Sequence, residues 1–233
     1  MEDIDLADQA RQLREDGYSV KKIARALGIS PATAADLVNA AAAAQPDIAD
    51  DAVVGCWLSP GWSSRLTLDD PGRWPDVAVG SSEPSGLANV LLARPASSRQ
   101  VRVSGFLLDL YCLGVKSVIG PMVFDEGDLP EFKDQFFTAY SAPPLAVPLE
   151  LAQQLVHGAV AYARELGFKP ASGFKAAAAH LGTATGPSGI SYGRDGKPFY
   201  IQGPHDDAKA VLRTLDRTVG AGNYNYMADV LVR

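Results

Sequence analysis

Apolar residues recur at helical spacing through the first forty residues, and residues that end or begin helices interrupt them. The spacing predicts a first helix over residues 3–16 and a second over Val20–Leu27. Gly28 ends the second helix with a sharp bend. Ser30 followed by Pro31 is an N-cap with proline at the first helical position, which predicts a third helix from Pro31 into the alanine run at 40–44. Three short helices with a tight turn between the last two are typical of a helix-turn-helix module.

Beyond residue 52 the spacing of apolar residues becomes strand-like, and helical patterns return later. Short apolar runs predict strands at Ala52–Leu58, Leu87–Arg94 and Val101–Val115, with Val118–Phe124 extending the sheet. Amphipathic patterns predict helices at 129–139, 148–166, 174–181 and 206–219. An Asp195-Gly196 turn predicts a β-hairpin over Ile190–Ile201. Because strands come first and helices later, the fold class is α+β with a mostly antiparallel sheet.

The change of pattern divides the chain into two domains joined by a linker. Pro46, Asp47 and Asp50 end the third helix. We therefore predict a helix-turn-helix module at 1–45, a linker at 46–51 and an α+β domain of unknown function at 52–233.

Composition and charge narrow the class of protein. No apolar run approaches the ~18 residues of a membrane span, and the acidic N-terminus lacks the features of a secretory signal, so we expect a cytoplasmic protein. Cys56 and Cys112 are the only cysteines and are interpreted as reduced, buried thiols. The net charge is −6, and residues 1–50 carry five basic against nine acidic side chains. This acidic balance argues against strong non-specific binding to nucleic acid. It does not exclude binding, because an acidic protein can still carry a local basic patch.

The segment Gly17–Thr33 carries a motif of small, apolar and hydroxyl residues at fixed spacing. Its positions are Gly17, Ser19, Ile23, Ala24, Leu27, Gly28, Ile29, Ser30 and Thr33. This segment resembles the three-helix DNA-binding modules of resolvases, invertases and homeodomain-like bacterial regulators. The resemblance implies that the third helix enters the major groove of DNA. It also implies that Ser30, Ala32, Thr33 and Asp36 face the groove or phosphates, and that Lys21, Lys22 and Arg25 lie on the helix that crosses the DNA backbone.

The third helix departs from the usual pattern of that family. Its sequence, PATAADLVNAAAAA, contains no basic residue and includes Asp36. Arg, Asn and Gln make the bidentate contacts that distinguish bases, and none stands in the first turns of this helix. The alternative interpretation is a three-helix module used for protein contact or dimerisation.

Candidate chemistry in the second domain centres on Asp109 and Lys116. Both lie in or beside an apolar strand, and a buried charge must be paired or shifted in pKa. They form either a functional acid/base or ligand-binding pair, or a structural ion pair or exposed strand end. His157, His180 and His205 are scattered, and we interpret His157 as a helix histidine with its hydrogen bonds satisfied. No zinc, P-loop, catalytic-triad or kinase motif is present, so we expect no metal and no cofactor.

Three further segments carry a second resemblance. They are Leu108–Lys116, Tyr162–Phe168 and Tyr192–Pro204. Together they resemble pieces of an uncharacterised bacterial domain that is sometimes found beside SEC-C zinc-binding motifs, across roughly residues 52–233. The resemblance implies no activity, and the zinc motif itself is absent.

These observations favour a bacterial DNA-binding protein of the helix-turn-helix class, acting in transcription regulation. The second domain would dimerise or sense a ligand, and a homodimer is expected because two modules double the contacts with DNA. One alternative is an enzyme or nucleic-acid-processing domain that uses Asp109, Lys116 and the Arg194–Lys197 turn, with the module as its targeting arm. Another alternative is an adaptor that binds protein partners. The absence of a catalytic motif favours a protein that is not an enzyme.

Overall fold

The computed structural model describes Leu6, Gln9, Ala10, Leu13 and residues 18–43, 52–77, 85–186 and 188–229. The chain divides into two compact units, Met1–Ala52 and Val53–Arg233. The four described residues of the predicted first helix are helical, and the rest of that helix and the linker at 46–51 lie outside the described residues.

The first unit contains the predicted helix pair. Helix α1 spans Val20–Leu27 and helix α2 spans Pro31–Ala43. Gly28 ends α1 in the left-handed conformation, with φ of 66°, and its N–H bonds back to the carbonyl of Ala24. A Cβ at Gly28 would meet no described atom within 4 Å, so the left-handed backbone conformation is the reason for glycine here.

The second unit is built on a five-stranded antiparallel sheet. Its strands, in the spatial order β5-β4-β3-β1-β6, are β5 (Gly114–Asp125), β4 (Gln100–Asp109), β3 (Leu87–Pro95), β1 (Gly55–Leu58) and β6 (Leu145–Ala146). Two small sheets accompany it: β2 (Thr67–Leu68) pairs antiparallel with β7 (Ile190–Ser191), and β8 (Phe199–Ile201) pairs parallel with β9 (Asn225–Met227). The α+β class and the mostly antiparallel sheet are confirmed.

Helices cover both faces of the five-stranded sheet. The helices are α3 (Leu129–Phe136), which follows a 3-10 turn at Glu126–Asp128, α4 (Leu149–Glu165), α5 (Phe174–Leu181) and α6 (Ala208–Thr218). One sheet face, with Val90, Phe106 and Leu108, packs against α4 and α5. The opposite face, with Leu91 and Val103, packs against aromatic residues of α3. Successive strand residues point to opposite faces, so these apolar runs serve two cores at once.

The prediction of one continuous strand over Val101–Val115 is wrong, because the chain turns between Asp109 and Gly114. The carboxylate Oδ1 of Asp109 accepts the backbone N–H groups of Tyr111 and Cys112, each at 3.0 Å. Gly114 then re-enters the sheet as the first residue of β5, with φ of 70°. Leu110, Tyr111 and Cys112 of this turn are buried and Leu113 is apolar, so no run of polar residues marks the break in the sequence.

The prediction of a hairpin over Ile190–Ile201 is wrong in its pairing, although the turn exists. Arg194 and Lys197 form an isolated antiparallel bridge around Asp195-Gly196. The flanking strands β7 and β8 pair with β2 and β9 instead of with each other. The turn therefore forms between residues that are close in sequence, whereas β7 and β8 each pair with a strand from a distant part of the chain.

Candidate nucleic-acid interface

The helix pair of the first unit is held by a small core. Ala10, Ile23, Ala24 and Ala34 are buried. Five partly buried residues pack around them, namely Leu13, Val20, Leu27, Ile29 and Leu37. Alanine at 24 and 34 leaves no side chain beyond Cβ between the helices, which allows the close approach that a helix-turn-helix needs.

The first turn of α2 is fixed by two hydroxyl side chains. Ser30 Oγ accepts the backbone N–H of Thr33 at 3.0 Å, and the two hydroxyl oxygens lie 2.7 Å apart. Ser30 thus acts as the N-cap that its position before Pro31 predicts. Ala32 and Thr33 are exposed beside it, so the N-terminal turn of α2 presents hydroxyl and methyl groups to the surroundings.

Three cationic side chains are exposed on α1. Lys21 and Arg25 stand four residues apart and therefore on one face, and Lys22 lies beside them. The ammonium of Lys22 lies 5.7 Å from the centroid of the Tyr18 ring, a cation–π distance. Tyr18 is 42% exposed and was not among the predicted site residues, although an aromatic residue just before a helix that carries basic side chains could have suggested it.

The charge of this surface differs from the charge of the whole N-terminal segment. Residues 18–43 contain three basic side chains and one acidic side chain, Asp36. The other acidic residues of the first fifty lie outside this helix pair in the sequence. The helix pair therefore carries a local positive balance, which is the condition that phosphate contact requires.

The second unit places Asp109 and Lys116 in different interactions. Asp109 is 4% exposed and binds the backbone of its own turn, as described above. Burial raises the pKa of its carboxyl to about 6, against the opposing effect of those N–H groups. Lys116 instead donates to both carboxylate oxygens of Asp206, at 2.9 and 2.7 Å. A direct functional pair of Asp109 with Lys116 stays a prediction, and the observed arrangement ties β5 to the segment that precedes α6.

Asp206 sits at the centre of a polar cluster. Its Oδ2 also accepts the N–H of Gly203 at 2.8 Å, and the hydroxyl of Tyr200 lies 3.5 Å away. Burial alone would raise the pKa of the Asp206 carboxyl, but the hydrogen bonds from Lys116 and Gly203 hold it below its usual range. An ionised carboxylate with these partners serves as a structural anchor.

Two histidines and both cysteines lie wholly or partly inside the second unit. His157 lies 2.7 Å through Nε2 from the carbonyl of Gly182, and His180 lies 2.8 Å through Nδ1 from Ser104 Oγ. Burial lowers the pKa of His180 to about 4, helped by Arg94 and Arg102. Both cysteines are free and buried, and burial raises the pKa of the Cys56 thiol to about 12 and that of the Cys112 thiol further. Buried thiols with raised pKa values are poor nucleophiles.

His205, in contrast, is exposed before α6. Within the described residues, no group of three or more His, Cys, Asp or Glu side chains is arranged to hold a metal ion. No helix in the described part of the chain is both long enough and apolar enough to cross a membrane.

Comparison with known proteins identifies the first unit. Residues 2–33 match the helix-turn-helix domain of resolvase. No curated protein and no solved structure matches the chain. The chain therefore carries an N-terminal helix-turn-helix module of the resolvase DNA-binding type, and the resemblance stated for residues 52–233 has no support from these comparisons.

Proposed function

We propose that this protein is a sequence-specific DNA-binding regulator of transcription that reads DNA with α2. The observation that carries this proposal is the combination of an exposed N-terminal turn on α2 with three exposed cations on α1. In the proposed complex, Ser30, Ala32 and Thr33 lie at the groove. Hydroxyl groups can bond either bases or phosphates, and methyl groups can contact the thymine methyl.

The phosphate contacts come from α1 in this proposal. Lys21, Lys22 and Arg25 lie on the helix that crosses the DNA backbone and supply the affinity that does not depend on sequence. Because α2 has no basic residue, the specific part of the binding energy is small for one module. A single module with few base contacts favours an arrangement in which two modules bind together.

We further propose that the second unit makes the protein a homodimer. The supporting feature is β5, which lies at an edge of the five-stranded sheet. Two apolar residues of this strand are exposed to solvent, Met122 at 38% and Val123 at 46% of their full accessible area. An edge strand with apolar side chains can pair with the same strand of a second copy. Sedimentation velocity should find a dimer, and Val123→Lys should shift it to monomer. A wild-type protein that sediments as a monomer at every concentration would refute this proposal.

DNA binding is tested by selection from random duplexes, followed by fluorescence anisotropy on the enriched sequence with full-length protein. Changing Lys21, Lys22 and Arg25 together to alanine should weaken binding to all duplexes. It should also lower the slope of log K against log salt by about 1 for each phosphate that the variant no longer neutralises. Thr33→Val should weaken binding to the enriched sequence and leave the salt slope unchanged.

A matched control has the same change of charge at three exposed positions of the second unit. Lys175, Lys209 and Arg213 are all exposed and supply two lysines and one arginine. Their joint replacement by alanine should leave both affinity and salt slope unchanged. Equal loss of affinity in both triple variants would show that net charge alone drives binding, and failure to enrich any sequence would favour a module that contacts protein.

A further inference from the structure

A cleft opens between α3 and the face of the sheet that α3 covers in part. Its volume is about 540 Å³. Its floor is made by two rows of residues that run across the strands. One row is Asn89, Leu107 and Ser117, and the other contains Gly105 and Ile119.

The opposite wall comes from α3 and the residues that follow it. Phe132, Gln135, Phe136, Ala139 and Tyr140 line this side. The ring of Phe136 packs onto β4 at Gly105, where an added Cβ would lie 2.6 Å from the ring. Glycine at 105 therefore sets how closely the wall approaches the floor.

The described residues that line the cleft are mostly apolar, and none of them is charged. Leu87 is 40% exposed and Ile119 is 37% exposed at this surface. Ser117 and Gln135 add neutral polar groups on opposite sides, and both are exposed. Ligand-binding clefts usually combine a volume of ~300–1,000 Å³ with apolar walls and a few polar groups, and this cleft meets each condition. An ionic ligand would lose its hydration without gaining a counter-charge, so the lining favours a neutral one.

Asn89 ties the floor of the cleft to its opposite wall. Its Nδ2 donates to the carbonyl of Phe136 at 3.3 Å, which fixes the orientation of the amide. Its Oδ1 is buried without a hydrogen-bond partner among the described residues. This oxygen is closed to a water-sized group, so it is not available to a ligand in the cleft.

We propose that this cleft binds a neutral, predominantly apolar small molecule. The apolar body of this molecule covers Leu87, Leu107 and Ile119. The site belongs to the second unit alone, and its test does not depend on DNA binding.

The test uses N-phenyl-1-naphthylamine, a neutral two-aromatic probe with a single N–H, titrated into full-length protein while its emission is recorded. We expect saturable binding of one probe per chain with a blue-shifted emission. Ser117→Phe should fill the floor beside Leu107 and weaken binding at least about tenfold, which corresponds to ~1.4 kcal/mol. Gln135→Trp should produce a similar loss from the opposite wall.

Ser98→Phe is the matched control, because Ser98 is exposed in the turn between β3 and β4 and does not line the cleft. This variant should bind the probe like the wild type, and circular dichroism should confirm that all variants are folded. Absence of saturable binding would overturn the proposal, as would equal losses in Ser98→Phe and Ser117→Phe. If the sulfonated probe 1-anilinonaphthalene-8-sulfonate bound as tightly as the neutral probe, the proposal that the cleft selects neutral ligands would be wrong.

Discussion

Replacement of Asp109 by asparagine should change how stability depends on pH. Asp109 is 4% exposed at the turn between β4 and β5, and burial raises its pKa from 3.8 to about 6. Asparagine keeps a carbonyl oxygen for the N–H groups of Tyr111 and Cys112 but cannot ionise. Comparing the two proteins at several pH values therefore isolates the ionisation of one carboxyl, because every other titrating group is common to both.

The direction of the effect follows from proton binding. Between pH 3.8 and pH 6 the folded protein binds a proton at Asp109 more strongly than the unfolded chain does. The stability contribution of this group is therefore fully present below the unfolded pKa and is lost as the pH rises through the folded pKa. Integrated from pH 4 to pH 7, the loss is about 2 kcal/mol. The difference in free energy of unfolding, variant minus wild type, should rise by that amount over the same range.

The assay is urea unfolding of full-length protein followed by tryptophan fluorescence. All three tryptophans, Trp57, Trp62 and Trp74, lie in the second unit, so the signal reports on the unit that contains Asp109. The m-values of the two proteins should agree, since the surface exposed on unfolding is the same. A difference that stays constant with pH, or that falls as the pH rises, would refute the burial of an ionisable carboxyl at this turn.

Three further outcomes are expected. In the Asp109→Asn background, a further change of His180→Gln should reduce the stability lost between pH 6.5 and pH 4 by up to about 3 kcal/mol, because the folded pKa of His180 is lowered to about 4; urea unfolding of the single and double variants at several pH values measures this difference. Ser30→Ala should destabilise the helix pair by about 1 kcal/mol and Ser30→Gly by only a few tenths, as measured by far-ultraviolet circular dichroism during unfolding. Gly114→Ala should destabilise the second unit by more than about 2 kcal/mol, because the added Cβ lies 2.7 Å from Ala163 Cβ and 2.8 Å from the carbonyl of Ala159. Gly222 also has a positive φ, 84° against 70° at Gly114, but it faces open space, so Gly222→Ala should cost only the backbone term of about 1 kcal/mol; equal losses at both glycines would contradict the close packing at Gly114.

The helix-turn-helix could be predicted because its signals are local. Gly28 and the Ser30-Pro31 pair act within one turn of their own positions, and the structure uses both as their residue types suggest. The helices α4 and α5 were similarly readable from their apolar stripes.

Two kinds of feature could not be predicted from local patterns, namely partners distant in sequence and a turn without polar residues. Lys116 pairs with Asp206, which lies 90 residues later, and no spacing rule connects them. The turn after Asp109 is made by a side chain that bonds to the backbone among buried apolar residues, so the sequence continues to look like a strand. The cleft draws its lining from three strands and from α3, and for this reason it has no signature in any one segment.

The short helix α5 has a consequence for local opening of the fold. Its eight residues are too few for a stable isolated helix, since such helices need ~12–15 residues. Its last carbonyls are bonded from elsewhere: Arg94 of β3 donates to His180, and Gln153 of α4 donates to Leu181. The amide protons of α5 should therefore exchange with deuterium only when the sheet and α4 open together, at nearly the free energy of global unfolding of this unit. Although α5 is too short to be stable alone, its amide protons would then be among the slowest to exchange in the second unit.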